Sequence, residues 1–198
     1  TANIITYGGN EGVIYITTNG GSGLLNTSWT SSNGYSSITN DIINLYAGIY
    51  YLEIIDTNLC FYLDTFELTQ PSSLSLSINT INNVSCYDSC NGFINITANG
   101  GDSTHTYSWE GPNSFTSNND NINNLCYGEY IITIDDGITS MIDTINIYQP
   151  QPITTVLSVD SIACYNSTVQ AEINVWGGTQ PFTYNWSNGD SNNYTIVS

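Results

Sequence analysis

No lysine and no arginine occur in this 198-residue chain; 17 acidic residues and one histidine leave a formal net charge of −17. Without basic side chains a protein cannot neutralise phosphates, which excludes nucleic acid as a partner. Anionic membranes are disfavoured for the same reason, whereas divalent cations and basic partners are attracted. Charge of either sign is also scarce, at 9% of residues against about 25% in ordinary globular chains. So little charge argues against a salt-adapted acidic surface. Disorder is excluded too, because a 40% hydrophobic content rich in Ile and Tyr fills cores. AT-rich coding would account for the many Asn, Ile and Tyr residues but would also raise lysine, so its absence has a separate cause. Avoidance of extracellular trypsin-like proteases, or of anionic glycans, are two candidates.

Catalytic constellations are missing as well. There is no Cys-His or Ser-x-His arrangement around His105, which reads as a solvated loop residue between Thr104 and Thr106. Asp135-Asp136-Gly137 reads as a turn, with bound calcium as a weak alternative. The chain is expected to be non-enzymatic and to need no cofactor.

What is present is repetition. Gly12, Gly20-Gly21, Trp29, Gly48 and Tyr50 return 80 residues later as Gly92, Gly100-Gly101, Trp109, Gly128 and Tyr130. Gln70-Pro71 returns as Gln149-Pro150 after 79, and a third copy begins with Cys164-Tyr165, Gly177-Gly178 and Trp186. Domain boundaries are expected at residues 1–71, 72–150 and 151–198, the first and last copies being incomplete, as in a piece of a longer chain. Neighbouring repeats are the first partners of such units, and no unit is singled out for chemistry. No direct membrane insertion is expected of this segment; that no signal peptide, transmembrane run or sorting tail is visible decides nothing in an internal fragment.

The local pattern is all-β. Ile94, Ile96 and Ala98 alternate with Phe93, Asn95 and Thr97; Tyr130, Ile132 and Ile134 alternate with Ile131, Thr133 and Asp135; Asp64, Phe66 and Leu68 mark a further strand. Asn-Gly, Gly-Gly and Asp-Gly turns punctuate these runs, and no capped helical period intervenes. About seven short strands per repeat predict tandem immunoglobulin-like β-sandwich domains. Trp29, Trp109 and Trp186 then face the opposite sheet as core residues, with sugar stacking the minor alternative. Gly48-Ile49-Tyr50 and Gly128-Glu129-Tyr130 read as tyrosine corners. Trp176 replaces Asn19 and Asn99 before the Gly-Gly turn, so no shared core role explains it; partner contact from an exposed loop and a rearranged turn are both open.

The order Cys86-Tyr87-Asp88-Ser89-Cys90-Asn91-Gly92, Gly100-Gly101, Tyr107-Ser108-Trp109, Leu125-Cys126-Tyr127-Gly128-Glu129-Tyr130 and Gln149-Pro150 resembles the SprB repeat of giant cell-surface proteins of gliding Bacteroidota. The first copy keeps Tyr7-Gly8-Gly9-Asn10-Glu11-Gly12 and Asp56-Thr57-Asn58-Leu59-Cys60, the third Thr179-Gln180-Pro181-Phe182-Thr183-Tyr184-Asn185-Trp186. The resemblance implies export to the cell surface by the type IX route and a role in adhesion. Two departures stand out: the leading Cys is Thr6 in the first copy, and the Cys after the Asp turn is missing near Ile138 in the second.

Five cysteines in an exported β-array argue for disulfides rather than metal. Cys90 and Cys126 precede strands that start at the same end of facing sheets, and both are lost together in copy one, as Asn10 and Tyr46. They are expected to pair. Cys60 and Cys86 lie symmetrically about residue 73 and would pair if the segments flanking Gln70-Pro71 run antiparallel, leaving Cys164 unpaired; a local Cys86–Cys90 bridge is the alternative. Such a staple would make the first junction firmer than the one at Gln149-Pro150.

Asn-x-Ser/Thr contexts place candidate N-glycosylation at Asn26, Asn83, Asn95, Asn166, Asn185 and Asn193. The resemblance implies instead an O-linked Asp-Ser/Thr context, met at Ser103, Thr144 and Ser161.

Three classes of function remain: a non-catalytic repeat segment of an adhesin used in attachment or gliding, a subunit of an extracellular filament of identical chains, and a carbohydrate-binding module contacting surface glycans. Without the final strands of copy three, Tyr184, Trp186 and Ile196 should be poorly covered.

Overall fold

The computed structural model describes residues 1–197 apart from Ser103, Ala163 and Asn166. The alternating runs become strands: β1 (Gly12–Ile14), β2 (Asn26–Ser31), β3 (Ser36–Ser37), β4 (Ile42–Leu45), β5 (Gly48–Ile55), β6 (Phe61–Leu68), β7 (Ser75–Asn82), β8 (Gly92–Asn99), β9 (Thr106–Gly111), β10 (Phe115–Ser117), β11 (Asn121–Leu125), β12 (Gly128–Asp135), β13 (Ser140–Ile147), β14 (Thr154–Val159), β15 (Val169–Trp176) and β16 (Tyr194–Val197). A single 3-10 turn, Pro112–Ser114, is the one helical element among the described residues. Sheet orders are β1-β4 with β3-β2-β5-β6, then β11-β8-β7 with β10-β9-β12-β13, then β14-β15-β16. The second set places the first, second and fifth strands of a repeat in one sheet and the third, fourth, sixth and seventh in the other. That partition is the immunoglobulin-like sandwich, and the fold is all-β as expected.

The chain divides into two compact units, Thr1–Ser77 with Ala98–Tyr107 and Thr133–Ile142, and Ile78–Thr97 with Ser108–Ile132 and Asp143–Ser198. In the first, Ile4, Ile14, Trp29, Ile42, Leu45, Tyr50, Leu52 and Leu68 form one buried cluster. In the second, Val84, Ile94, Trp109, Ile122, Leu125, Tyr130, Ile132 and Ile147 are buried at the corresponding positions. These inward positions are apolar in both repeats, which is what a period-2 pattern on half-buried strands requires.

Polar handles on the large aromatics are satisfied in parallel. Trp29 and Trp109 donate from Nε1 to the carbonyls of Thr39 (3.0 Å) and Asn119 (2.9 Å). The Tyr50 and Tyr130 hydroxyls donate to the Tyr46 and Cys126 carbonyls at 2.8 and 3.0 Å, which completes both tyrosine corners. Before each corner the register shifts by one residue, and Asn44 (φ 57°) and Asn124 (φ 55°) occupy the left-handed region there. Asn tolerates that conformation better than most side chains, which accounts for its return after 80 residues.

In the third copy Ala171 and Thr195 are buried, while Tyr184 and Trp186 are half-buried and Ile196 is 52% exposed. Trp186 still donates to the Asn192 carbonyl at 2.8 Å.

Cys90 and Cys126 form a disulfide, whereas Cys60, Cys86 and Cys164 are exposed free thiols. The expected Cys60–Cys86 bridge is therefore not formed. It required the segments flanking Gln70-Pro71 to pair, but β6 pairs with β5, from Phe61↔Ile55 to Leu68↔Gly48, and β7 joins the other sheet beside β8. The linker changes sheets instead of turning a hairpin.

Candidate functional site: the junctions between repeats

Recurrent polar geometry is concentrated where one repeat leads into the next. Within the first unit the Gln70 side-chain oxygen accepts the Gly8 N–H at 2.9 Å, and the Ser72 carbonyl accepts the Gly101 N–H at 2.9 Å. Within the second unit the Gln149 oxygen accepts the Asp88 N–H at 2.9 Å, and the Gln151 carbonyl accepts the Gly178 N–H at 2.7 Å. Each Gln-Pro linker thus holds the turn behind it through a side chain and the Gly-Gly turn ahead through its backbone. Proline at the second position lacks an N–H and has a fixed φ, so the linker stays extended rather than starting a hairpin.

The glycines follow from this contact. Gly100 and Gly177 have φ of +80° and +73°, and a Cβ on either would lie 2.1 Å from the carbonyl oxygen of Ser73 or Pro152. No side chain fits. The second junction adds a hydrogen bond from Thr179 Oγ1–H to the Ser85 carbonyl at 2.6 Å. Both junctions share the bonds of the Gln side chain and of the linker backbone, and neither is held by a bridge, which removes the basis for a firmer first junction.

Beside each of the first two Gly-Gly turns, Gly20-Gly21 and Gly100-Gly101, sits a buried aspartate. Asp56 accepts N–H groups of Asn58 and Cys60 on Oδ1, both at 2.9 Å, and of Ser22 on Oδ2 at 3.0 Å. Asp136 accepts the Ile138 (3.0 Å) and Thr139 (2.6 Å) N–H groups on Oδ1, and the Asp102 N–H (3.3 Å) and Thr139 hydroxyl (3.1 Å) on Oδ2. These donors hold both carboxyls below their ordinary value of 3.8, the Cys60 N–H contributing most at Asp56 and the Thr139 N–H at Asp136, against a smaller opposing effect of burial. Asp136 spends both oxygens on the turn, and the expected turn at Asp135-Asp136-Gly137 is present, Asp135 Oδ1 accepting the Gly137 N–H at 2.7 Å. No group of three or more metal-ligating side chains occurs among the described residues.

Depressed carboxyl values stabilise the fold above the unfolded value and stop doing so as pH falls through the folded value. The melting temperature should therefore hold through neutral and mildly acidic pH and drop below about pH 4. Asp56→Asn/Asp136→Asn should lower it at neutral pH and flatten that acid limb; an unchanged limb in circular-dichroism melts would remove these two groups as its cause.

Other candidates lie apart from the junction contacts. His105 is half-buried, not solvated, because its Nε2–H donates to the Gly100 carbonyl at 2.9 Å. Trp176 ends β15 opposite Thr154 and is 54% exposed. Asn26, Asn185, Asn193, Thr144 and Ser161 are exposed; Asn83 accepts the Tyr148 N–H and Asn95 is half-buried with its oxygen on Asn79. Ser103 and Asn166 lie outside the described residues. A cleft of about 520 Å³ opens in the first unit between Ile16, Leu25, Leu52, Cys60, Tyr62 and Phe66. The sequence marks Asp136 as part of a turn and Gln70 and Gln149 as junction residues, but not the bonds that these side chains and Asp56 make, although their return after 79 or 80 positions was the available signal.

No helix among the described residues is long and apolar enough to cross a membrane. Among curated proteins there is no match. Among solved structures, the three N-terminal domains of the bacteriophage RB49 highly immunogenic outer capsid protein are similar at 14% identity and a TM-score of 0.48, covering 86% of this chain, which spans 64% of that one. An amphioxus IgVJ-C2 molecule matches at 15% identity and a TM-score of 0.36, over 70% of this chain and 97% of its own. The eight N-terminal Ig domains of Down Syndrome Cell Adhesion Molecule match at 12% identity and a TM-score of 0.37, over 96% of this chain and 30% of theirs. The SprB repeat model matches residues 78–114 and 156–191, the stretches that hold both Gly-Gly turns and the aligned Trp109 and Trp186. In these two stretches the chain carries the SprB repeat.

Proposed function

We propose that this chain is a non-catalytic extracellular segment of a cell-surface adhesin, exported by the type IX route and used in attachment or gliding, its repeats serving as spacer and contact surface. The reading rests on the junctions: identical Gln-Pro fastenings spend the recurrent polar residues on joining repeats, and the SprB repeats at 78–114 and 156–191 support the surface setting. Exposed Asn26, Asn185, Asn193, Thr144 and Ser161 are its candidate glycan carriers, and Trp176 its candidate partner contact.

Fab fragments raised against the folded chain should label intact producing cells and reduce their attachment to a surface. Labelling only after permeabilisation, or labelling without any effect on attachment, would reject the reading; hydrolysis of a polysaccharide by the purified chain would reject its non-catalytic part.

A filament is the second reading, favoured by β6. This edge strand carries Phe61, Tyr62 and Leu63 at 69, 57 and 61% exposure, and unpaired edges of that kind template association between chains. Ordered, concentration-dependent assembly of the purified chain would select it over the spacer.

A further inference from the structure

We propose that Cys60 and Cys86 are the two halves of one recurrent inter-repeat disulfide, in which the thiol at the Cys86 position of one repeat bonds the thiol at the Cys60 position of the repeat that follows it. Each cysteine then serves a different junction, and the two are not partners of each other.

Matching hydrogen bonds fix the equivalent positions. Cys86 accepts the Ser89 N–H on its carbonyl as Thr6 accepts that of Gly9, so Thr6 holds the Cys86 position in the first repeat. Asp56 bonds Cys60 through N–H to Oδ1 and through its own N–H to the Cys60 carbonyl, and Asp136 bonds Thr139 in the same two ways. Thr139 therefore holds the Cys60 position in the second repeat, the turn being one residue shorter.

Both positions meet at a junction. In the first unit, Gln70 holds the Thr6–Gly9 turn through Gly8, and Ser72 holds Gly101, whose neighbour Asp102 donates to the Asp136 that fixes Thr139. Gln70 and Ser72 are two residues apart, so the turn that carries position 6 and the turn that leads to position 139 are fastened to the same short stretch of linker. The second unit repeats the juxtaposition from the other side. Ser85, adjacent to Cys86, accepts the Thr179 hydroxyl, and Thr179 follows its Gly-Gly turn as Ser22 follows Gly20-Gly21. Ser22 in turn donates to the Asp56 that holds Cys60.

Composition agrees. At the junction that follows the first repeat, both sulfurs are absent together, Thr6 and Thr139 standing in their places. The formed Cys90–Cys126 bridge shows the same joint replacement, by Asn10 and Tyr46. Bond formation removes one proton from each thiol and passes two electrons to a disulfide oxidant, which leaves as two thiols; glutathione disulfide is the reagent for the test.

Thr6→Cys/Thr139→Cys in a chain with Cys60, Cys86 and Cys164 replaced by Ser, oxidised with glutathione disulfide, should yield a single new bridge joining the peptides that contain positions 6 and 139. Two free thiols, or two glutathione adducts, with Cys90–Cys126 intact would overturn the proposal. The unaltered chain gives an independent reading that does not depend on the variant folding: dilute oxidation should leave Cys60 and Cys86 unlinked within one chain, and recovery of a Cys60–Cys86 peptide would overturn it equally.

Discussion

Trp109→Ala should destabilise the second repeat by about 3–5 kcal/mol, the range for deleting a large buried aromatic. Trp109 is fully buried, and its Nε1–H satisfies the Asn119 carbonyl ten residues on. Alanine would leave a cavity and free that carbonyl, and the two losses add. Trp29→Ala should cost the first repeat a similar amount, because Trp29 is as buried and bonds Thr39 likewise, with Phe66 packed at 5.6 Å. Trp186 is only half-buried, so its replacement should cost distinctly less. Urea unfolding followed by far-ultraviolet circular dichroism separates these cases. A loss under about 1 kcal/mol for Trp109→Ala would place it outside the core role argued here.

That role was legible in the sequence because core residues repeat with their partners. Ile94, Ile132 and Trp109 recur at fixed spacing from Ile14, Leu52 and Trp29, and hydrophobic period with turn residues suffices to place such positions. The tyrosine corners were legible for the same reason. The junction was not, since its bonds run between a side chain and backbone groups 61 or 62 positions away, and no local period encodes them. Gln70-Pro71 was legible as a repeated junction between repeats, but the bonds made by its side chain were not. The Cys60–Cys86 assignment failed on direction: mirror spacing says where two sulfurs lie along the chain, while pairing depends on which sheet each strand joins. β6 lies beside β5 and β7 beside β8, in different sheets, so the symmetry about residue 73 carried no geometry. His105 was misplaced more simply, because one carbonyl, that of Gly100, lies within reach of its ring and nothing in its flanking threonines announces it.

Reduction of Cys90–Cys126 should lower the stability of the second repeat by roughly 4 kcal/mol and leave the first repeat unmoved. The bond closes a loop with a sequence separation of 36, and loop-closure entropy for that length gives about that figure. The first repeat is the internal control: exposed Asn10 and Tyr46 occupy the two positions, and the cluster around Trp29 forms without any bridge. The comparison also separates two uses of sulfur. If the bridge were needed to set the approach to β12, its loss would disturb the Tyr130 hydroxyl, which bonds the Cys126 carbonyl; but Tyr50 makes the same bond to Tyr46 with no sulfur nearby. The corner is thus independent of the bridge, whose effect should fall on the unfolded chain. Cys90→Ala/Cys126→Ala should accordingly shift only the urea transition assigned to the second repeat by its sensitivity to Trp109→Ala. An equal shift in both transitions, or a native spectrum that changes before unfolding begins, would show that the bridge shapes the folded state instead.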